Sequence, residues 1–410
     1  MLPGRQAYWG SLELQQYPDA LSVVRALAPE EPVILNRPHA ATRAARFFVE
    51  KFPGKSLYAV KANPSPDLLK VLWDAGVTHF DVASIAEVRL VRATLPEAVL
   101  CFMHPVKTPG AIAEAYRQHG VRVFSLDSQE ELEKIVEATE NATDLSLCVR
   151  LRVSSDYSEL SLASKFGVDL ADAAPLLQAA RQVADSLGIC FHVGSQAMTP
   201  FAYVQAMERV RAAIVDASVT IDIIDVGGGF PSIYPGMEPP PLEDYFGVIH
   251  RAAESLPVSY SSELWCEPGR ALCAEYNSMI VRVEKRRGNE LYINDGAYGA
   301  LYDAAHVGWR FPVRSLADDA EGVQEEDFAF YGPTCDDADY MEGPFTLPAG
   351  IKAGDYIEVG MLGAYGAAMK TAFNGFGQAE AIESSDEPMA SHYRGDRRDP
   401  RHSDNVVSLR

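Results

Sequence analysis

One pattern dominates the chain between residues 57 and 267. A short β-branched or apolar run is followed by a polar or Gly-containing turn, and then usually by an amphipathic helical stretch. Eight runs qualify: Leu57–Val60, His79–Ala83, Val99–Met103, Arg122–Leu126, Leu145–Leu151, Ile189–Val193, Ile223–Val226 and Leu264–Cys266. From Lys61 to Glu267 their spacing averages about 29 residues, the length of a βα unit. Continuous apolar strands alternating with helices mean a parallel sheet covered on both faces. Eight of them predict a closed (β/α)₈ barrel of the TIM type.

Helix starts support this phase. Ser65-Pro66 and Thr108-Pro109 each set a capping hydroxyl before a first-turn proline. Ser84-x-x-Glu87 and Ser128-x-x-Glu131 fit the capping box. After about residue 276 the texture changes to short alternating runs, Ser278–Val283, Glu290–Ile293, Asp327–Tyr331 and Tyr356–Val359, separated by Gly, Pro and Asp. They predict an antiparallel β domain. The early run Pro32–Leu35 is a candidate to join it. The expected organisation is therefore α/β plus β: a barrel over 37–275, a discontinuous β domain from 1–36 and 276–383, and a tail over 384–410. That tail is rich in Ser, Asp, Arg and Pro and is expected to be disordered.

Composition excludes several partners. Lys+Arg number 36 against 57 Asp+Glu, a net charge of −21, which repels nucleic acid and anionic membranes and suits a cationic substrate. No apolar run approaches the roughly 18 residues that span a bilayer. The N-terminus, Met1-Leu2-Pro3-Gly4-Arg5, lacks the order of a signal peptide, so a cytoplasmic protein is expected. Six cysteines lie scattered without paired or His-spaced motifs, which argues against a zinc site and a disulfide scaffold.

In such a barrel the C-terminal strand ends hold the active site. The residues there are Lys61, Asp81, His104, Asp127, Arg150, His192, Gly227–Gly229 and Glu267. Lys61, in Tyr58-Ala59-Val60-Lys61-Ala62-Asn63, is costly at the end of a buried strand unless paired or covalently used. It reads either as a Schiff-base lysine or as one snorkelling to the rim. Gly227-Gly228-Gly229 after a strand suits a phosphate cradle or a plain tight turn. In Glu267-Pro268-Gly269-Arg270 the acid can hold a pyridine nitrogen protonated and the arginine can clamp a phosphate, or the two can form a surface ion pair. His192 and Ser195 suit ring stacking and phosphate contact, while a lone histidine is as often structural. Gly332-Pro333-Thr334-Cys335-Asp336 is a rigid loop outside the barrel, with a thiol and a carboxylate, and Tyr302-Asp303 adds a second acid.

Taken in order, these segments, with Gly363-Ala364-Tyr365 and Phe373-Asn374-Gly375-Phe376, closely resemble the fold-type III pyridoxal-phosphate decarboxylases. This group acts on ornithine, lysine, diaminopimelate and arginine and shares its barrel type with alanine racemases. The resemblance runs from about Tyr58 to Phe376. It implies pyridoxal 5′-phosphate as cofactor, with Lys61 bonded to it and Asp81 and Arg150 nearby. His192 would stack on the ring. Ser195, Gly228, Gly229, Arg270 and Tyr365, with the Pro268-Gly269 turn, would hold the phosphate. Glu267 would pair with the ring nitrogen. Cys335 would act as proton donor, reaching across a homodimer, and Tyr302, Asp303 and Asp336 would receive the substrate. The resemblance also implies decarboxylation of L-ornithine or L-lysine to a diamine, in polyamine synthesis. Diaminopimelate enzymes characteristically carry Cys-Glu where this chain has Cys335-Asp336, so the alternative is a carboxylate-bearing relative such as meso-diaminopimelate or an intermediate of siderophore or polyamine assembly. A further one is a regulatory paralogue without activity. Arginine is disfavoured by chain length. Two departures stand out: the short stretch between Tyr298 and Asp303, and Phe102-Met103-His104-Pro105 in place of a more familiar small-polar sequence.

Overall fold

A computed structural model describes residues 14–393, apart from 155, 163 and 318–322. Eight parallel strands close into a barrel in chain order: Lys55–Ala59, His79–Val82, Val99–Phe102, Val123–Leu126, Ser146–Arg150, Ser186–Cys190, Ile223–Asp225 and Glu263–Cys266. Each overlaps one of the eight runs. The last pairs with the first, Trp265 opposite Lys55, which closes the ring. Leu57, Cys101, Met103, Val123, Cys148, Cys190, Ile223 and Trp265 form one buried cluster, so the barrel is filled rather than hollow. Five of the six free cysteines are buried and only Cys335 is exposed.

The outer helices start largely as their sequences dictate. Ser84 accepts from the Glu87 N–H at 3.2 Å, and the Glu87 carboxylate accepts from the Ala83 N–H at 2.7 Å, satisfying two orphan donors. Thr108 caps the helix Pro109–His119. Two starts differ. Ser65 precedes Pro66 but its hydroxyl makes no cap bond. Ser128 caps Glu131, yet the Glu131 carboxylate turns away to the buried Lys107 ammonium at 2.9 Å. A buried ammonium needs that partner more than a helix end does.

Among the described residues, nine of the remaining strands form one sheet. Its spine, Asn277–Arg287, pairs antiparallel with Val33–Asn36, Glu290–Ile293 and Tyr356–Val359. The sheet is mixed, which corrects the purely antiparallel expectation. Glu380–Ser384 runs parallel to Val33–Asn36, and Glu290–Ile293 parallel to Glu325–Tyr331. Long connections separate the members of each parallel pair, as parallel pairing requires. Two additions have weak sequence signals: Tyr340–Pro348, and a small antiparallel pair, Ser158–Leu160 with Ser195–Ala197, beside the barrel.

The tail expectation also needs correcting. Ser384 ends a strand, Tyr393 is 3% exposed, and Asp386 forms ion pairs with Arg37 and Arg314. Polar composition misleads here because these polar groups find buried charged partners. Residues 394–410 lie outside the described residues. Among the described residues no helix is long and apolar enough to cross a membrane.

Candidate active site

Lys61 lies in a single 3₁₀ turn, Val60–Ala62, at the end of the first barrel strand. Its Nζ donates to Asp81 Oδ2 at 2.6 Å. The ammonium is ringed by barrel atoms yet open to solvent, with 41% of the side chain exposed, while Asp81 is buried. Burial pushes the Lys61 ammonium down, but Asp81, Glu267 and Tyr365 outweigh that and hold it above its ordinary range.

The turn Glu267–Arg270 packs directly against this lysine. The Ala59 N–H donates to the Pro268 carbonyl at 3.2 Å, and a Cβ on Gly269 would stand 3.1 Å from Ala62 Cβ. Glu267 is buried, and desolvation followed by the Asp225 and Asp81 charges pushes its carboxyl well up. Asp225 is also fully buried, with its pKa raised to about 6, chiefly by burial. One Asp225 oxygen accepts from the Gly227 N–H at 2.8 Å, and the carboxyl also shares a side-chain hydrogen bond with Glu267. Like-charged carboxyls this close and dry hold a proton between them, and an added cation beside Glu267 would relieve the pair.

Close backbone approach explains the glycines. A Cβ on Gly228 would meet the Glu267 carbonyl oxygen at 2.8 Å and His192 Nε2 at 2.9 Å. Gly229, with φ +105°, would meet the Gly194 carbonyl at 2.6 Å. The same loop donates from Gly194 N–H to His192 Nδ1 at 3.0 Å, which makes Nδ1 the acceptor and puts the ring proton on Nε2. Burial, then the Arg150 and Lys61 charges, hold His192 neutral. Ser195 begins the short strand whose Ala197 N–H donates to the Gly229 carbonyl at 2.8 Å. Arg150 lies over the Phe166 ring at 5.6 Å, with His104 edge-on to the same ring.

The Arg270 guanidinium is buried among aromatics: 4.3 Å from the Trp309 ring, 5.1 Å from Tyr365 and 5.6 Å from Tyr234. Its Nη1 donates to the Tyr234 hydroxyl at 3.0 Å, and Asp303 lies 3.8 Å from Nη2. Nε and Nη2 of Arg270 and Nε1 of Trp309 are buried without a hydrogen-bond partner. Buried donors nearly always find acceptors, so three orphans around one guanidinium mark the place of an anion. The phosphate of a pyridoxal cofactor, whose aldehyde a lysine amine such as that of Lys61 can bind, fits this place.

Most of the sequence-derived site residues converge here. Asp303 lies on the Arg270 side, and Tyr302 stacks on His306 at 4.4 Å. Cys335 and Asp336 form a separate group on the sheet. The Cys335 N–H donates to Asn374 Oδ1 at 3.1 Å, and Asp336 accepts from the Tyr298 hydroxyl at 2.5 Å and from the Ala338 N–H at 3.0 Å. Asp225, Tyr234 and Trp309 are additions to the sequence reading. An aspartate inside the apolar run before Gly227 was a usable signal, since a charge in a buried strand demands a reason. Tyr234 and Trp309 carry no such signal.

Comparison with known proteins identifies the family. The family model of the pyridoxal-dependent decarboxylase pyridoxal-binding domain matches residues 39–274, and that of the C-terminal sheet domain matches 273–363. A lysine/ornithine decarboxylase of Selenomonas ruminantium is 30% identical over 340 residues, covering 81% of this chain and 84% of that one. The agmatine-bound arginine decarboxylase of Paramecium bursaria Chlorella virus superposes with a TM-score of 0.79 at 27% identity, over 88% of this chain and 98% of that one. The lysine/ornithine decarboxylase of Vibrio vulnificus, complexed with putrescine, gives 0.75 at 27% identity, over 90% and 99%. The viral enzyme is no longer than this chain, so length does not disfavour arginine as expected above. On the strength of both domains and of relatives along most of its length, this chain belongs to the pyridoxal-dependent decarboxylases that act on basic amino acids.

Proposed function

We propose that the chain decarboxylates L-ornithine, L-lysine or both, releasing putrescine or cadaverine for polyamine synthesis as a cytoplasmic homodimer. The observation that carries the substrate is Asp336, a short carboxylate oriented by the Tyr298 hydroxyl and the Ala338 N–H beside Cys335. A bare distal ammonium suits an aspartate, whereas enzymes that take diaminopimelate characteristically carry a glutamate there. Dimerisation is supported by Cys335, which is exposed and bonded within the sheet while Lys61 lies at the barrel mouth. A second copy would bring the two groups together. We assign cofactor binding to 37–275 and treat 1–36 with 276–383 as the sheet domain.

Pyridoxal phosphate supplies, when bound, an electron sink for the pair left as carbon dioxide departs. Lys61 would hold the cofactor, and Asp81 orients the lysine ammonium toward the barrel mouth. Glu267 holds a proton at the ring nitrogen, helped by the buried Asp225 behind it. Arg270, Ser195, Gly228, Gly229 and Tyr365 fix the phosphate, and neutral His192 supplies a flat face for the ring. Arg150 flanks it. Cys335 holds at Sγ the proton that returns to the reacting carbon. Asp336 binds the distal ammonium, and Tyr302 and Asp303, on the Arg270 side, are the further substrate contacts.

The test is carbon dioxide release by purified protein with added pyridoxal phosphate, given L-ornithine, L-lysine, L-arginine and meso-diaminopimelate separately. Release from ornithine or lysine is expected. Preference for arginine or diaminopimelate would overturn the substrate reading while leaving the chemistry intact.

A further inference from the structure

The last described residues do not hang from the sheet. They cross back onto the barrel and end beside Arg270. After the strand Glu380–Ser384, Asp386 is held by Arg37 at 2.8 Å and Arg314 at 2.7 Å. Glu387 pairs with Arg43 at 2.9 Å. The His392 N–H donates to Glu275 Oε1 at 2.9 Å. The His392 ring lies between two carbonyls, with Nδ1 3.2 Å from Pro231 O and Nε2 3.2 Å from Pro240 O. Tyr393 is 3% exposed, meets Phe47 at 5.3 Å, and donates its hydroxyl to the Ala271 carbonyl at 2.6 Å.

The targets of these bonds are specific. Pro231 and Pro240 bracket the loop that follows Gly227–Gly229 and carries Tyr234, whose hydroxyl accepts from Arg270. Ala271 directly follows Arg270. One segment therefore grips both halves of the pocket in which the orphan Arg270 donors lie. Loop 231–240 has little regular structure of its own, only an isolated Tyr234–Met237 bridge, so its position depends on what holds it from outside.

We propose that residues 385–393 form a strap that belongs to the cofactor site, with His392 and Tyr393 as positioning residues that keep the Tyr234 loop and the Arg270 turn in register for the cofactor's phosphate. This rests on the assignment of Arg270 to that phosphate. A strap acting on the phosphate pocket strengthens the binding of pyridoxal phosphate but not of pyridoxal, which lacks the phosphate. A strap that only stabilises the fold affects both alike.

The experiment measures dissociation constants of pyridoxal phosphate and pyridoxal for the wild-type protein and for Tyr393→Phe, His392→Gln and the double variant, with the thermal midpoint of each. The wild-type protein should prefer the phosphorylated form strongly. In Tyr393→Phe that preference should fall about tenfold, the worth of one lost buried hydrogen bond. A parallel loss of both ligands, or an unchanged ratio, would overturn the strap's role. If the double variant fails to fold, Tyr393→Phe still reads the ratio, because it keeps the ring in place. No wild-type preference for the phosphate would remove the Arg270 assignment, and the strap's role with it.

Discussion

The Tyr365 N–H donates to the Ala62 carbonyl at 2.7 Å, which ties the residue after Lys61 to a tyrosine held at φ 65°. A non-glycine residue in the left-handed region costs about 1 kcal/mol or more and persists only where its surroundings enforce it. The strained residue thus sits between the lysine and the guanidinium, with its ring 5.1 Å from Arg270.

That tie runs through the backbone and survives a change of side chain. Tyr365→Phe is therefore expected to keep the fold and the thermal midpoint while weakening pyridoxal phosphate binding about tenfold, the usual worth of one hydrogen bond to an anion. Equilibrium dialysis of both forms checks this, and equal affinities would remove the hydroxyl from the phosphate site.

Lys61→Ala should abolish the visible absorbance of bound cofactor and reduce carbon dioxide release below detection. The chain should still fold, because Lys61 is only half-buried and its removal leaves the apolar filling of the barrel untouched. Circular dichroism and the visible spectrum of the purified variant decide it, and retained turnover would sink the covalent role.

The glycine at 228 tolerates no side chain. Gly228→Ala places a methyl group 2.8 Å from one backbone oxygen and 2.9 Å from the His192 ring. Overpacking of this kind costs about 1–3 kcal/mol. Urea unfolding should show that loss together with cofactor release, and a variant with wild-type stability and full cofactor content would contradict the contact.

Cys335→Ala should separate the two halves of the reaction. Carbon dioxide should still form, while the yield of diamine per carbon dioxide falls several-fold as the proton goes elsewhere. Chromatography of the products against released gas measures the ratio, and a ratio of one would acquit the thiol.

Stability should depend on pH through a buried carboxyl outside the cofactor pocket. Asp295 accepts from the Ala300 N–H at 2.8 Å, and burial, followed by a neighbouring Asp339 that outweighs little of what the bond and Lys370 return, leaves its pKa at about 7. The folded state then binds the proton more tightly than the unfolded one. This contribution is full below about pH 4 and is lost as the pH rises through 7, by an order of 4 kcal/mol at most. Asp295→Asn should flatten that part of the profile in urea melts of the apoprotein, and an unchanged slope would reject it.

The barrel was legible because its strands are buried on both faces and so read as unbroken apolar runs at a steady spacing. Lys61, Glu267 and the triple glycine stood out because each breaks a local rule: a charge or three flexible residues at the end of a buried strand. Tyr234 and Trp309 reach Arg270 from loops far away in sequence, and an aromatic in a loop breaks no rule. Residues 385–393 misled for the opposite reason. Their polarity is that of an exposed tail, but Arg37, Arg43 and Arg314, scattered along the chain, neutralise it in the folded state.

Barrel and sheet share more than a boundary. Phe80 and Leu147 from the barrel lie in the same continuous apolar cluster as Met279, Phe345 and Val359 from the sheet, and Tyr393 closes onto it as well. Two modules joined through one core do not melt separately, because opening either strips the apolar cover from the other. Denaturant should therefore unfold the chain in a single transition in which tryptophan fluorescence and far-ultraviolet circular dichroism coincide, and a barrel expressed without its sheet should aggregate rather than fold.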